Sequence, residues 1–294
     1  MFHLLHAILN LEEMARLVNV AARAGIHKVR LTGGEPLVRR NIAQLINYVA
    51  RLPEIDDISI TTNGILFGSM AEELQQAGLK RVNFSLDSLN AERFRYLTRC
   101  GDLPTVKAAI FKALEMDLHP VKINTVVIRG FNDDEVLDFA DLARDYPLHI
   151  RFIEFMPVGD LRFWKKDRVM RSDEIKTRIA AKYKLKAAPE ITGNGPARYY
   201  TIENGRGSLG FISPMSNHFC GECNRIRMTA DGRLLFDQDD FASAVGDVQR
   251  RPCVLLDQQD RDPQVPQVDD DPEHLAHDLR GQTQAGLVQH QQGR

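Results

Sequence analysis

Between residues 11 and 155 the chain switches repeatedly between two hydrophobic periods, and that alternation constrains its fold more than any other feature. Apolar residues at helical spacing run from Leu11 to Ala24 (Leu11, Met14, Leu17, Val18, Ala21) and stop at Gly25. A short β-branched run, KVRLTGG, follows, and then a helical stretch from about Arg40 to Leu52. The pattern repeats with strand ISITTN (58–63), helix 70–77, strand VNFSLD (82–87), helix 105–116, strand VKINTVVI (121–128), helix 133–145 and strand IRFIEF (150–155). Short strands each separated by one helix predict parallel βα units. Right-handed crossovers then leave a doubly wound sheet or a (β/α) barrel. Polar residues gather at the strand ends: Gly33-Gly34-Glu35, Thr61-Thr62-Asn63, Ser85 with Asp87, Asn124 within its strand, and Glu154 with Met156. Each alone is ordinary turn chemistry. A doubly wound sheet uses only its switch point, whereas a barrel builds its site from the ends of all its strands. The spread over five strands favours a barrel, full or partial.

After Pro157 the rhythm changes. A helix is expected from Ser172 to about Tyr183, and RYYTI, GSLGFIS and RIRMTADGRL read as strands joined by Gly and Asn turns. These features predict a smaller β-containing extension over 158–236, packed on the barrel or across its mouth. Composition breaks near residue 237. Residues 1–236 hold three glutamines (Gln44, Gln75, Gln76), whereas 237–294 hold eleven Gln and eleven Asp with no Lys, Tyr or Trp. That stretch has no helical or strand period and reads as a disordered or aberrant tail.

Composition narrows the function classes. Lys+Arg number 38 against 40 Asp+Glu, a net charge of −2, which argues against a generally basic nucleic-acid surface and leaves room for a local anion site. No apolar run approaches the ~20 residues of a membrane span, and charges interrupt the apolar start MFHLLHAILNLEEMARL, so neither a membrane segment nor a secretory signal is expected. Four cysteines exclude a disulfide scaffold and fit a reducing, cytoplasmic setting.

Three segments carry chemistry. HFCGECNRIR (218–227) contains a CxxC pair, Cys220 and Cys223, whose thiolates suit zinc, an iron–sulfur cluster or a redox pair, or are incidental; His218 is a candidate third zinc ligand. Arg225 and Arg227, two apart on a strand, point the same way, and two guanidiniums on one face suit a polyphosphate; a solvated strand face is the plainer reading. In LTGGEPLVRR (31–40) the glycines admit a ligand close to the backbone, Glu35 can accept from a ligand amine, and Pro36 suits a first helical turn. Lys122 and Asn124 share one face of a strand, where a lysine needs a partner or a ligand.

KVRLTGGEPLVRR, ITTNG, VNFSLDSL, VKINTVV, RFIEFMPVG and FCGECNRIRMTADGRL, in that order, strongly resemble the MoaA family of radical S-adenosylmethionine (SAM) enzymes, the GTP 3′,8-cyclases of molybdenum cofactor biosynthesis. The resemblance runs from about Ala7 to Leu235. It implies an α/β fold, an incomplete (β/α)6 TIM-like barrel with a small C-terminal β-containing extension. Here 1–157 would be the partial barrel, lacking its first strand, 158–236 the extension and 237–294 a disordered or frame-shifted tail. It implies two [4Fe–4S] clusters, SAM, GTP, an electron donor and a homodimer, with no nucleic acid and no membrane. By motif position it assigns SAM contacts to Gly34, Ser85, Asn124 and Met156. It assigns GTP contacts to Arg30, Thr61, Lys122, Arg225 and Arg227, and two ligands of the second cluster to Cys220 and Cys223.

The sequence departs from the family in three places. It contains no CxxxCxxC, the third extension cysteine falls at Asp237, and the chain ends QHQQGR where the family has a glycine pair. These departures imply a chain inactive as written, with a reading-frame change near residue 236. The readings set against catalysis are a nucleotide- or SAM-binding pseudoenzyme and a small zinc-binding module built on His218, Cys220 and Cys223.

Overall fold

The computed structural model describes residues 8–157, 164–191, 196–217, 225–235 and 253–258. Helix α1 (Leu11–Arg23) starts from a capping box: Asn10 Oδ1 accepts from the Glu13 amide, and the Glu13 carboxylate accepts from the Asn10 amide, both at 2.8 Å. It buries the stripe Leu11, Met14, Leu17, Val18 and Ala22. The alternation then runs β1 (Ile26–Thr32), α2 (Ile42–Ala50), β2 (Asp57–Thr62), α3 (Phe67–Ala77), β3 (Arg81–Ser85), α4 (Ala91–Thr98), α5 (Leu103–Glu115), β4 (Val121–Val127), α6 (Val136–Asp145) and β5 (Leu148–Glu154). Strands β1 to β5 pair in succession and in parallel. Gly78, at φ 114°, ends α3; a Cβ there would stand 2.6 Å from that of Ala50, so the glycine lets the chain pass close to the end of α2. Beyond β5 come α7 (Ser172–Ala180), β6 (Leu185–Ala187), β7 (Arg198–Ile202), β8 (Ser208–Ile212), β9 (Arg225–Met228), β10 (Leu234–Leu235) and β11 (Cys253–Gln258).

All eleven strands belong to one sheet, in the order β10-β9-β11-β1-β2-β3-β4-β5-β8-β7-β6. The strands of 158–236 are therefore not a layer laid on the barrel; they continue its sheet at both edges. β8 pairs in parallel with β5 and makes a sixth parallel neighbour, with β7 and β6 antiparallel beyond it. Every residue of β8 is buried, which suits an interior strand and not an edge. At the other edge β11 pairs antiparallel with β1 and with β9. The sequence reading places no strand in 237–294, yet the apolar run Val254–Leu256 forms one there against the edge of β1, where unpaired backbone groups would otherwise face outward. The rest of that stretch lies outside the described residues.

Two smaller differences concern helices. α4 goes unread in the sequence because its eight residues bury only Phe94; Asn90, accepting from the Glu92 and Arg93 amides at 3.0 Å, sets its start. The helix expected from Asp133 opens with one 3-10 turn (Asp133–Glu135) before α6 proper.

The helices cover one face of the parallel strands. Phe67, Phe84, Phe139 and Phe152 lie fully buried there, with edge-to-face pairs Phe67–Phe84 (5.2 Å) and Phe139–Phe152 (6.4 Å). The other face carries the polar residues. The sheet also curls: Arg225 of β9 is electrostatically coupled to Arg151 of β5. Six strand spacings would separate those strands by about 29 Å in a flat sheet at ~4.8 Å per step.

Candidate functional site

Strand alternation divides the sheet cleanly. In β4, Val121, Ile123 and Val127 turn into the core while Lys122 and Asn124 take the opposite face. A parallel strand packed on both faces reads as an unbroken apolar run, so this alternation marks a face left open for polar contents. The register lines up the neighbours. Thr61 (β2) sits beside Asn83 (β3), Asn83 beside Lys122 (β4), Lys122 beside His149 (β5), and His149 beside Ser208 (β8). Toward the carboxyl ends, Ser85, Asn124, Arg151 and Gly210 form a second row.

Among the described residues this face is cationic and short of counter-charge. Lys122 is pushed down from 10.5 to about 7, chiefly by burial and then by the positive charges of Arg151, Arg81 and Arg30; Asp57 pulls the other way. Asp57 is already committed to Arg81, whose Nε donates to its Oδ1 at 2.8 Å. His149 is lowered to about 4 by burial and by Lys122 and Arg151, so its ring is neutral at pH 7; its Nδ1 lies 2.6 Å from Ser208 Oγ. Arg151 is 8% exposed, and burial lowers its pKa too. Its Nη2 donates to Asn83 Oδ1 at 2.9 Å, while its Nε is buried without a hydrogen-bond partner. Asn124 Oδ1 is likewise buried with no donor. A buried guanidinium with an idle N–H, beside a lysine destabilised by its own neighbours, gives this face the chemistry to accept an anion. Nearby, Asn124 leaves an acceptor for an amine or a hydroxyl.

Strand-end loops frame this face. The Glu35 carboxylate fastens the GGEP turn: Oε1 accepts from the Leu37 amide (3.1 Å) and Thr62 Oγ1 (2.8 Å), and Oε2 from the Asn63 amide (2.6 Å). Its sequence role as acceptor for a ligand amine is thus taken by three donors of the protein, and the exposed backbone at Gly34 remains the approach. Pro36 does open a helical turn, a 3-10 turn over Pro36–Val38. Asp87 accepts from the Val126 amide at 2.8 Å, and burial raises it to about 6. Glu154 turns to the core face with no exposure and collects the amides of Ser172 (2.8 Å), Met215 (2.9 Å) and Ser216 (2.9 Å) together with the Ser216 hydroxyl. It is a structural knot that ties β5 to the start of α7 and to the loop after β8.

Among the residues named from sequence, Arg30, Thr61 and Lys122 share the polar face, with Arg30 Nε donating to Ser59 Oγ at 3.3 Å. Arg225 and Arg227 lie on β9, two apart as expected, and Arg225 acts electrostatically on Arg151. Ser85 is exposed at the end of β3 beside Asn124, and Met156 is half-buried just past β5. Cys220 and Cys223 lie outside the described residues, as does His218. Sequence reasoning missed Arg151, Arg81 and Asn83. Asn83 and Arg151 are polar residues flanked by apolar ones in interior strands, the same signal that singled out Lys122, whereas Arg81 follows Lys80 at the start of β3 and carries no such signal.

A metal site is a different matter. Among the described residues no group of three His, Cys, Asp or Glu stands together as a ligand set, and Cys100 is exposed on the surface. No helix among them is long and apolar enough to cross a membrane.

Comparison with known proteins agrees with this architecture. Residues 4–143 match the Radical SAM superfamily and residues 148–238 match Molybdenum Cofactor Synthesis C. The chain is 69% identical over 229 residues to a GTP 3′,8-cyclase of Syntrophomonas wolfei, a match covering 78% of this chain and 70% of that protein. It is 54% identical over 227 residues to one from Moorella thermoacetica, covering 77% and 70%. It is 50% identical over 238 residues to one from Desulforamulus reducens, covering 80% and 73%. Identity at this level, over most of both chains, shows that the chain belongs to the GTP 3′,8-cyclase family of radical SAM proteins.

Proposed function

We propose that the polar sheet face binds the triphosphate of GTP and that the strand-end loops beside it receive SAM, the two small molecules of the family's cyclisation of GTP to (8S)-3′,8-cyclo-7,8-dihydroguanosine 5′-triphosphate. The observation that carries this reading is the uncompensated charge of Arg151 and Lys122, one with an idle buried N–H and the other lowered to about 7. Phosphate oxygens supply the acceptors and the negative charge that these groups lack. Arg30, Arg225 and Arg227 extend the same basin along β1 and β9. Thr61 Oγ1 accepts a long hydrogen bond from Asn83 Nδ2 (3.4 Å), so its own proton is free to be donated to the ligand.

On the SAM side, Asn124 Oδ1 fits a donor of the ligand, Ser85 stands next to it in register, Gly34 allows close backbone approach, and Met156 offers an apolar surface to the adenine. SAM, when reduced, supplies the 5′-deoxyadenosyl radical that the family uses. That reduction needs a [4Fe–4S] cluster, and the residues present do not fit one. The 294 residues contain four cysteines (Cys100, Cys220, Cys223 and Cys253) and no CxxxCxxC. The reading is a nucleotide-binding family member that is catalytically silent as written, in the reducing cytoplasmic setting that its cysteine usage suits.

The test is anaerobic reconstitution with iron and sulfide, followed by GTP, SAM and dithionite. Saturable GTP binding without 5′-deoxyadenosine is expected. Formation of 5′-deoxyadenosine would overturn the silence, and absence of GTP binding would overturn the site.

A further inference from the structure

Tyr199, on β7, belongs to none of the motifs above, yet it reaches the centre of the site. β7 is separated from β4 by β8 and β5. The residue facing Tyr199 across the β7–β8 pair is Gly210, and Gly210 in turn faces Arg151 across β8–β5. A Cβ at Gly210 would lie 2.9 Å from Tyr199 Cε1 and 3.1 Å from Arg151 Cγ. The missing side chain is thus the space into which the phenol ring leans. From there the ring has Lys122 Nζ at 5.7 Å from its centroid, and its hydroxyl side faces Arg151 and favours the charged guanidinium. The His149 ring meets it edge-on at 6.3 Å and an interplanar angle of 87°. Ala188, Ala197 and Ile212 pack around its base, and it is 6% exposed.

The ring therefore neighbours both cations that lack counter-charge among the described residues, from a strand outside the five-strand βα core. Arg151 is hydrogen-bonded to Asn83 Oδ1 on β3 and flanked across the Gly210 gap by the Tyr199 ring on β7, while its Nε stays open. A long flexible cation bonded to one neutral partner and walled by a second loses little conformational entropy when an anion arrives. Neutral partners also leave its charge undiminished, as a carboxylate would not.

We infer that Tyr199 is a positioning residue which, through the gap at Gly210, holds Arg151 and Lys122 in the geometry that grips the polyphosphate. This rests on the reading of the polar face as a GTP triphosphate site. The experiment is calorimetric titration of the full chain with GTP and with inorganic tripolyphosphate, using wild type, Tyr199→Phe, Tyr199→Leu and Gly210→Ala. Tyr199→Phe keeps the ring and its packing and removes only the hydroxyl dipole that favours the Arg151 charge. It is expected to weaken both ligands about tenfold, the size of one polar interaction with a charged group, with an unchanged melting temperature. Gly210→Ala pushes the ring and the Arg151 stem apart without removing any polar group and is expected to weaken them at least as much. Tyr199→Leu serves as the complete removal. A purely structural role for Tyr199 predicts wild-type affinity in Tyr199→Phe, so affinity within twofold of wild type would overturn the inference and leave the site reading standing. Failure of wild type itself to bind tripolyphosphate or GTP would overturn both.

Discussion

Replacing Lys122 with methionine gives a sharp test because the structure assigns the lysine opposite effects on stability and on binding. Its ammonium is surrounded by Arg30 (β1), Arg81 (β3), Arg151 and the neutral His149 (β5), and the Tyr199 ring (β7), with Asp57 (β2) as the attractive charge among the described residues. Lowering its pKa from 10.5 to about 7 means that the folded protein binds this proton less tightly than the unfolded chain does. Stability therefore rises with pH between about 7 and 10.5. At ~1.36 kcal/mol per pH unit, the charged lysine costs up to about 4 kcal/mol at pH 7 and about 2 kcal/mol at pH 9. Methionine keeps the length and drops the charge, so Lys122→Met should stabilise the ligand-free protein, with an advantage that shrinks toward pH 9. Binding should move the other way. A bound triphosphate restores the ammonium, so wild type takes up a proton on binding above pH 7, and its affinity should fall toward a limit of about tenfold per pH unit between pH 7.5 and 9.5. Lys122→Met should bind GTP more weakly at pH 7 and lose that slope. Urea unfolding and calorimetric titration across this range measure both. A variant less stable than wild type, or a wild-type affinity flat in pH, would refute the reasoning.

Three further expectations follow from the same geometry. Arg151→Met removes a buried cation with an idle donor and should weaken GTP binding by about a hundredfold while leaving the urea midpoint unchanged or higher, as for other buried charges exchanged for apolar groups; a loss of stability with affinity retained would contradict it. Glu154→Gln turns an acceptor of four donors into a group with one N–H facing amides, and should cost about 2–4 kcal/mol in urea unfolding. Asp87, raised to about 6 by burial, binds its proton more tightly when folded, so it makes wild type lose stability as pH rises from about 4 to 6; Asp87→Asn should remove about 1–2 kcal/mol of that slope, and an unaltered pH–stability curve would count against it.

The βα rhythm was legible because period 2 and period 3.6 alternate without ambiguity from Leu11 to Phe155, and five strands landed within two residues of their sequence positions. The polar face was legible at Lys122 and Asn124 and missed at Arg151 and Asn83, although each sits between apolar neighbours in just the same way. Tyr199 was not legible at all. Its role depends on a β7–β8 pairing that places it opposite Gly210, a long-range register that no local pattern encodes. The merging of the extension with the barrel sheet was hidden for a similar reason. SLGFI reads as a strand anywhere, and only its burial on both faces shows that it is interior. Strand β11 escaped notice because its short apolar run is set among Gln and Asp, where composition points to disorder.

The central claim is that GTP occupies the polar face of the sheet. Hydrogen–deuterium exchange with and without saturating GTP tests it most directly. The account predicts new protection concentrated in β4 (Val121–Val127), β5 (Leu148–Glu154) and the β1 segment around Arg30, with α4 and α6 unchanged. Protection confined to the helical layer, or none on β4 and β5 under saturating ligand, would contradict it.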